Sequence, residues 1–255
     1  MMLIDKYAYY NRLLNVHPIE KFLYAILTLL LCLFLNSATI SITIIILNSV
    51  ILVYKAGIKA DFYLKLLLIP VSFLFIGTAT IAFNVITHQE KALLCFNIFN
   101  FNIGITQSSF IQAQNIFLKA FGSVSCLYFL ALTTPMVDIV SVLRKLKFPE
   151  LFLELMSLVY RLIFIFIKIA GRIHTSQSSR LGYYGIKNSF KSMGYLISSL
   201  FLLSYKKADD LYTALEARGY TGKLNVLEKQ YKLSKKRIAF IMVFEISLIF
   251  LGVIK

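Results

Sequence analysis

The 255-residue chain contains no tryptophan, four prolines and three cysteines, and its 12 acidic residues face 27 Lys and Arg. Each scarcity excludes something. Cys32, Cys95 and Cys126 are odd in number and far apart, which removes a disulfide framework and any Cys-x-x-Cys metal or redox site and leaves them as packing residues. His17, His88 and His174 lie in separate segments without a His-x-x-x-His or Glu-x-x-His partner, so no zinc or iron site and no bound cofactor are expected. No Gly-x-x-x-x-Gly-Lys-Ser/Thr loop is present, so the chain does not bind and hydrolyse a nucleotide by that route. The shortage of acids leaves a formal charge of +15, which in a soluble protein raises the question of nucleic acid. The Tyr and Phe residues, however, sit inside apolar blocks rather than between the cations, so there is no base-stacking platform and no nucleic-acid partner is expected.

Charged residues make up only 15% of the chain, against 58% hydrophobic and a mean hydropathy of +0.75. These proportions exclude a disordered chain and a soluble domain alike. The apolar residues come in long blocks, which predicts an all-α, polytopic membrane protein. Lys21 to Tyr54 runs 34 residues with almost no charge, too long for one crossing of a ~30 Å hydrocarbon layer, and the polar stretch Asn36-Ser37-Ala38-Thr39 is the natural corner. Phe22 to Leu35 followed by small residues also has the look of a secretory signal, but Ile40 to Val53 follows at once and favours two retained spans. Leu64 to Phe83, with Pro70 inside it, makes a third span, and Gln112 to Leu132 a fourth. Between them, Asn84 to Ser109 is polar and aromatic with strand-like alternation around Phe99 to Ile103. Ile238 to Ile254, broken only by Glu245, is the fifth and last span; Glu245 is costly there unless it faces the helix bundle or the headgroups.

From Asp138 to Arg237 there are 18 Lys and Arg against seven acids, which by the positive-inside rule marks a cytoplasmic region and, after four spans, a cytoplasmic N-terminus. Leu151 to Ala170 is apolar enough to suggest another span. Glu154, Arg161, Lys168 and Arg172 nevertheless recur on one helical face, and a long amphipathic helix at or below the membrane surface fits better. A second follows, with Phe190, Met193, Ile197, Leu200, Ala208, Leu211 and Leu215 at 3–4 spacing and Gly219 as its stop. Asp209-Asp210 follow Lys206-Lys207 at a spacing that predicts surface ion pairs rather than catalytic acids.

Two arginine motifs end these helices: Ser179-Arg180-Leu181-Gly182-Tyr183 and Ala217-Arg218-Gly219-Tyr220. The residues alone allow two readings. A cation in a last turn with a glycine after it is an ordinary helix end; a guanidinium held at a rigid helix end also suits bidentate docking into a partner's acidic groove.

Thr133-Thr134-Pro135 with Asp138, the Lys147-Phe148-Pro149 corner, Val159-Tyr160-Arg161, Arg180 to Tyr183 and Ala214 to Gly222 occur in that order. In this succession the chain resembles the transmembrane T component of energy-coupling factor transporters, a branch of the ABC importers, and its Arg-Leu-Gly-Tyr form resembles the cobalt/nickel, CbiQ-like subgroup. The resemblance covers nearly the whole chain; Ser179 stands where alanine is common.

The resemblance implies a non-enzymatic scaffold in the cell membrane that joins two cytoplasmic ATPase subunits to a separate substrate-capture membrane subunit. Ser179, Arg180 and Leu181 at one corner, and Ala217, Arg218 and Gly219 at the other, would seat in the ATPases. Thr133, Thr134, Pro135, Asp138, Pro149 and Arg161 would belong to the coupling helices. The implied division is a four-span membrane part over 1–132, a coupling region over 133–237 and a final span over 238–255. A T component serving a vitamin module, or a permease subunit of a conventional ABC importer, are the alternatives.

Overall fold

The computed structural model describes residues 3–35, 37–85, 92–98, 101–220, 231 and 233–253. In chain order the helices are α1 (Leu3–Tyr9), α2 (Pro18–Phe34), α3 (Ala38–Val50), α4 (Ala60–Ala82), α5 (Gln107–Thr133), α6 (Met136–Lys145), α7 (Glu150–Ser179), α8 (Ile186–Glu216) and α9 (Lys235–Val253). The all-α expectation holds, with one small antiparallel sheet between α4 and α5. Its strands are β1 (Asn84–Val85), β2 (Ala92–Ile98) and β3 (Phe101–Thr106), in the order β1-β3-β2, with Cys95 opposite Gly104. Of the strand-like run read in the sequence, Phe99 and Asn100 lie outside the described residues. The chain divides into two compact units, Met2–Pro135 with Gln230–Lys255, and Met136–Lys229.

In the first unit α5 is the central element and packs against α1, α2, α3 and α4, while α9 lies against α2 and α3. Among the described residues three helical stretches are long and apolar enough to cross a membrane: Ala38–Lys55, Ala60–Ala82 and Gln107–Thr133. The first runs from α3 into a π-helical turn, Ile51–Lys55. Helix α2 has 17 residues, and α9 carries Lys235, Lys236 and Arg237 before its apolar part. The break between α2 and α3 falls at the corner read in the sequence, where Leu35 and Ser37 are extended, although α3 already begins at Ala38. One apolar cluster gathers Tyr24, Leu52, Tyr63, Leu67, Phe129 and Leu132; a second joins Cys32, Ile40, Ile44, Cys126 and Leu248. Cys32 and Cys126 are fully buried, as packing residues should be.

Polar groups are tied across this core, where lipid offers no alternative partner. The Tyr24 hydroxyl donates to Asn48 Oδ1 at 2.9 Å, and Asn48 Nδ2 donates to Ser125 Oγ at 3.1 Å, so α2, α3 and α5 share one network. Glu245 does face inward, 4% exposed, with neither carboxylate oxygen hydrogen-bonded among the described residues. The approach of α5 to α2 depends on Gly122, where a Cβ would stand 2.7 Å from Cys32 Sγ. Gly122→Ala is expected to cost about 1–3 kcal/mol through overpacking, read as a lowered melting temperature in detergent. Adding Cys32→Ala should restore most of it. A melting temperature indifferent to Gly122→Ala would mean that the crossing tolerates a wider spacing.

The second unit consists of α6, α7 and α8, packed in succession. Arg161, Lys168 and Arg172 are exposed along α7, as the spacing predicts. Glu154 departs from that face: it is 6% exposed and accepts a 2.7 Å hydrogen bond from Tyr220 Oη. Along α8 no residue is buried, and Phe190, Met193 and Ile197 of its apolar stripe are exposed. Lys207 and Asp210 form the expected exposed ion pair, at 3.0 Å.

Candidate functional site

Helices α6, α7 and α8 all end in the same way. Lys147, Leu181 and Gly219 have φ of 61°, 56° and 74°. At each of them the left-handed residue's N–H bonds to the carbonyl three back, and the next N–H bonds to the carbonyl five back. For α7 these are Leu181 N–H to Ser178 O at 3.0 Å and Gly182 N–H to Gln177 O at 2.8 Å; for α8, Gly219 N–H to Glu216 O at 2.9 Å and Tyr220 N–H to Leu215 O at 3.0 Å. This paired closure satisfies carbonyls that a helix end leaves open, and it holds the preceding residue in a fixed place. That residue is Arg180 in one case and Arg218 in the other. Both arginines are exposed, and no side-chain partner is found for either among the described residues. The 31 residues of α8 set the two corners about 45 Å apart at 1.5 Å per residue.

The Arg180 corner is braced by side chains. Gln177 Nε2 donates to the Ser192 carbonyl at 2.9 Å, Ser192 Oγ donates to the Gly182 carbonyl at 2.7 Å, and Tyr183 Oη donates to Gln177 Oε1 at 2.8 Å. The His174 ring lies 4.5 Å from that of Tyr183. Gly182 is required by contact rather than by dihedral angle, since a Cβ there would come within 2.8 Å of the Gln177 carbonyl and 2.7 Å of Ser192 Oγ. Leu181, like Lys147 at the end of α6, takes the left-handed conformation without being glycine, which costs a residue with a side chain about 1–2 kcal/mol. Ser179 Oγ turns back to the Thr175 carbonyl at 3.0 Å, leaving the serine-for-alanine change without effect on the closure.

At the other end of α8, Ala217 and Arg218 continue the last turn and Gly219 supplies the left-handed residue without strain. Tyr220 anchors this end to α7 through Glu154; the bond to that carboxylate, with burial and its charge, raises the Tyr220 phenol above its ordinary range. Pro149, the N-cap of α7, lies at the same end of that helix as Glu154, whereas Arg161 stands mid-helix and exposed. Asp138 is in the first turn of α6.

Thr133, Thr134 and Pro135 are buried at the end of α5, in the first unit. Residues not singled out in the sequence hold them there. Lys21 Nζ donates to the Thr133 carbonyl at 2.9 Å, and Asn11 Nδ2 reaches the Leu132 and Thr133 carbonyls at 3.3 Å, so donors meet the negative end of the α5 dipole. Its neighbour Glu20 has the opposite task. Glu20 Oε1 accepts the Ser234 N–H at 2.9 Å, and Oε2 lies 3.4 Å from Arg237, which places a carboxylate at the positive start of α9. Nothing local in the sequence marks this role of Lys21, because its partner is 112 residues away.

His17 caps α2, its Nδ1 accepting the Ile19 N–H at 3.1 Å, and His88 lies outside the described residues. Among the described residues no three His, Cys, Asp or Glu side chains gather where they would hold a metal ion.

Comparison with known proteins extends over most of this framework. The family profile described as CbiQ, cobalt transport protein, matches residues 10–230. An uncharacterized protein of Methanocaldococcus jannaschii is 32% identical over 250 residues, covering 98% of this chain and 92% of its own. The cobalt transport protein CbiQ of Salmonella typhimurium is 25% identical over 219 residues, covering 86% and 97%. The energy-coupling factor transporter transmembrane protein EcfT of Bacillus subtilis is 28% identical over 170 residues, covering 60% and 64%.

Proposed function

Because the chain belongs to the CbiQ cobalt transport protein family, whose profile spans 10–230, we propose that it is the coupling subunit of an energy-coupling factor importer. It is a membrane component of a transporter and not an enzyme. In this reading two cytoplasmic ATPase subunits bind the second unit, one at Arg180 and one at Arg218, and a separate membrane subunit captures cobalt or nickel. One observation carries the reading: two exposed arginines, each fixed by the same helix closure, sit at opposite ends of one continuous helix.

When ATP binding draws the ATPases together, both ends of α8 are displaced at once, and packed helices shift as units. The α7–α8 hairpin, tied at one end by Gln177 and Ser192 and at the other by Glu154 and Tyr220, is suited to pass that displacement on without folding up. The metal is cargo and would be handled by the capture subunit. The remaining parts of the proposal are five spans over 1–132 and 238–255, a cytoplasmic coupling region over 133–237 and a cytoplasmic N-terminus, set by the cation excess after α5.

Reconstitution tests this directly. Vesicles holding this chain, the ATPases and the capture subunit should accumulate cobalt or nickel on ATP addition, and omission of any one should abolish it. In the same vesicles a cysteine replacing Ser178 should react with an impermeant thiol reagent only from the side that carries the ATPases. Uptake by this chain and the ATPases without a capture subunit would instead make it a conventional permease.

A further inference from the structure

A cavity of about 220 Å³ lies inside the first unit, between the start of α2, the π-helical turn after α3, the end of α5 and α9. Its lining is sorted along the helices. At one end stand Glu20 in the first turn of α2, Lys55 closing the π-helical turn and Arg237 in the first turn of α9, with Lys21 beside them. A turn or more farther in come Tyr24, Phe129, Ile241 and Phe244; along α9 the step from Arg237 to Phe244 is about 10 Å at 1.5 Å per residue. The Tyr24 hydroxyl is already given to Asn48, so this inner part presents apolar surface. Phe240 lines one wall and is 73% exposed, which leaves the cavity open at the surface of the helix bundle.

The charges at its mouth do not cancel, since Lys21, Lys55 and Arg237 face a single acid, Glu20. Lys21 is held by the Thr133 carbonyl, but Lys55 is exposed and has no side-chain partner among the described residues. Glu20 is 2% exposed, and its Oε2, although 3.4 Å from Arg237, accepts no hydrogen bond. A buried acceptor without a donor is costly. A ligand matched to this lining therefore brings negative charge for Lys55 and Arg237, a donor for Glu20 Oε2 and an apolar body for the inner wall.

We infer that the cavity seats one anionic phospholipid with a hydroxyl-bearing headgroup, of the phosphatidylglycerol class. Its phosphodiester lies between Lys55 and Arg237, a headgroup hydroxyl donates to Glu20 Oε2, and the first carbons of an acyl chain pass Ile241 and Phe244. Basic pockets between membrane helices select anionic headgroups in this way. Helix α9 lies against α2 and α3, so a lipid held by Lys55 and Arg237 together ties this last helix to the turn that follows α3. The inference needs only that the chain stands in a bilayer, and it is separate from the docking assigned to Arg180 and Arg218.

The test uses the full-length chain, stripped of lipid in detergent. It is titrated with phosphatidylglycerol, phosphatidylethanolamine and phosphatidylcholine of the same acyl chains and with glycerol phosphate, and read by native mass spectrometry and melting temperature. Phosphatidylglycerol is expected to persist as a single adduct and to raise the melting temperature by about 5 °C at saturation, while the two neutral lipids and the free glycerol phosphate do neither. Lys55→Gln, at an exposed position, should weaken phosphatidylglycerol retention by about fivefold, the order expected for one cation beside a headgroup. Val16→Phe, at a half-buried position in the lining, should fill part of the cavity and abolish retention. If that variant fails to fold, Lys55→Gln decides by itself. Retention of the neutral lipids as strong as that of phosphatidylglycerol would overturn the inference, as would a melting shift produced by glycerol phosphate alone. So would a Lys55→Gln variant that held the lipid at parental strength.

Discussion

Replacing both Arg180 and Arg218 by glutamate should release the ATPases and abolish transport together, while the membrane unit stays folded. Each arginine is exposed and its side chain takes no part in the bonds that close its helix end, so the substitution removes no internal contact found among the described residues. As ordinary helix ends, the two positions would lose only the dipole contribution, roughly 0.3–1 kcal/mol for each Arg→Ala. Seated in a partner's acidic groove, each loss would leave an unpaired carboxylate at about 2–5 kcal/mol, and glutamate adds repulsion. The single variants are expected to retain part of the complex, because an ATPase attached at one corner keeps its dimer partner close to the other. Pull-down of the ATPases alongside uptake decides it. A double Arg→Glu variant that kept both ATPases and the parental transport rate would sink the coupling assignment.

Ser199→Pro is expected to separate assembly from transport. Ser199 is exposed near the middle of α8, so its side chain fills no core. Proline there removes a helical hydrogen bond and clashes with the preceding turn, at about 3 kcal/mol, and bends the helix. The closures at Leu181 and Gly219 lie more than three turns away and should survive, so both ATPases should still co-purify and hydrolyse ATP. Transport should fall by about tenfold or more, because a bent rod absorbs the displacement that a straight one delivers. Ser199→Ala is the control for losing the hydroxyl. Parental transport through a chain whose α8 was shown to be bent would mean that the motion takes another route.

Much of this architecture is legible in the sequence because it rests on periodicity and on residues with strong local meaning. The apolar runs gave α2 to α5 and α9 nearly in place, and Gly219 announced the end of α8 because glycine is the usual left-handed residue. Leu181 carried no such mark. An ordinary leucine does not advertise a left-handed backbone; only the carbonyls of Ser178 and Gln177, brought into reach by the turn, reveal it. Glu154 fell on the charged face by spacing, yet Tyr220, 66 residues later, draws it inside. The caps on α5 were equally hidden, since a lysine at the edge of an apolar run looks the same whether it meets headgroups or a carbonyl 112 residues away. Local signals named the elements; contacts distant in sequence decided which charged side chains were structural.

Glu20 and Lys21 also bear on the order in which the protein is made. Lys21 can be satisfied as soon as α5 is complete, 112 residues later. Glu20, 2% exposed in the finished fold, receives the Ser234 N–H only when the chain has grown 214 residues beyond it, and the Arg237 guanidinium after that. Until then, α2 carries an acid whose partners have not been synthesised. The start of α2 and the start of α9 are therefore matched to each other only in the finished chain. A chain cut short before α9 would leave this buried carboxylate without the Ser234 N–H and the Arg237 guanidinium.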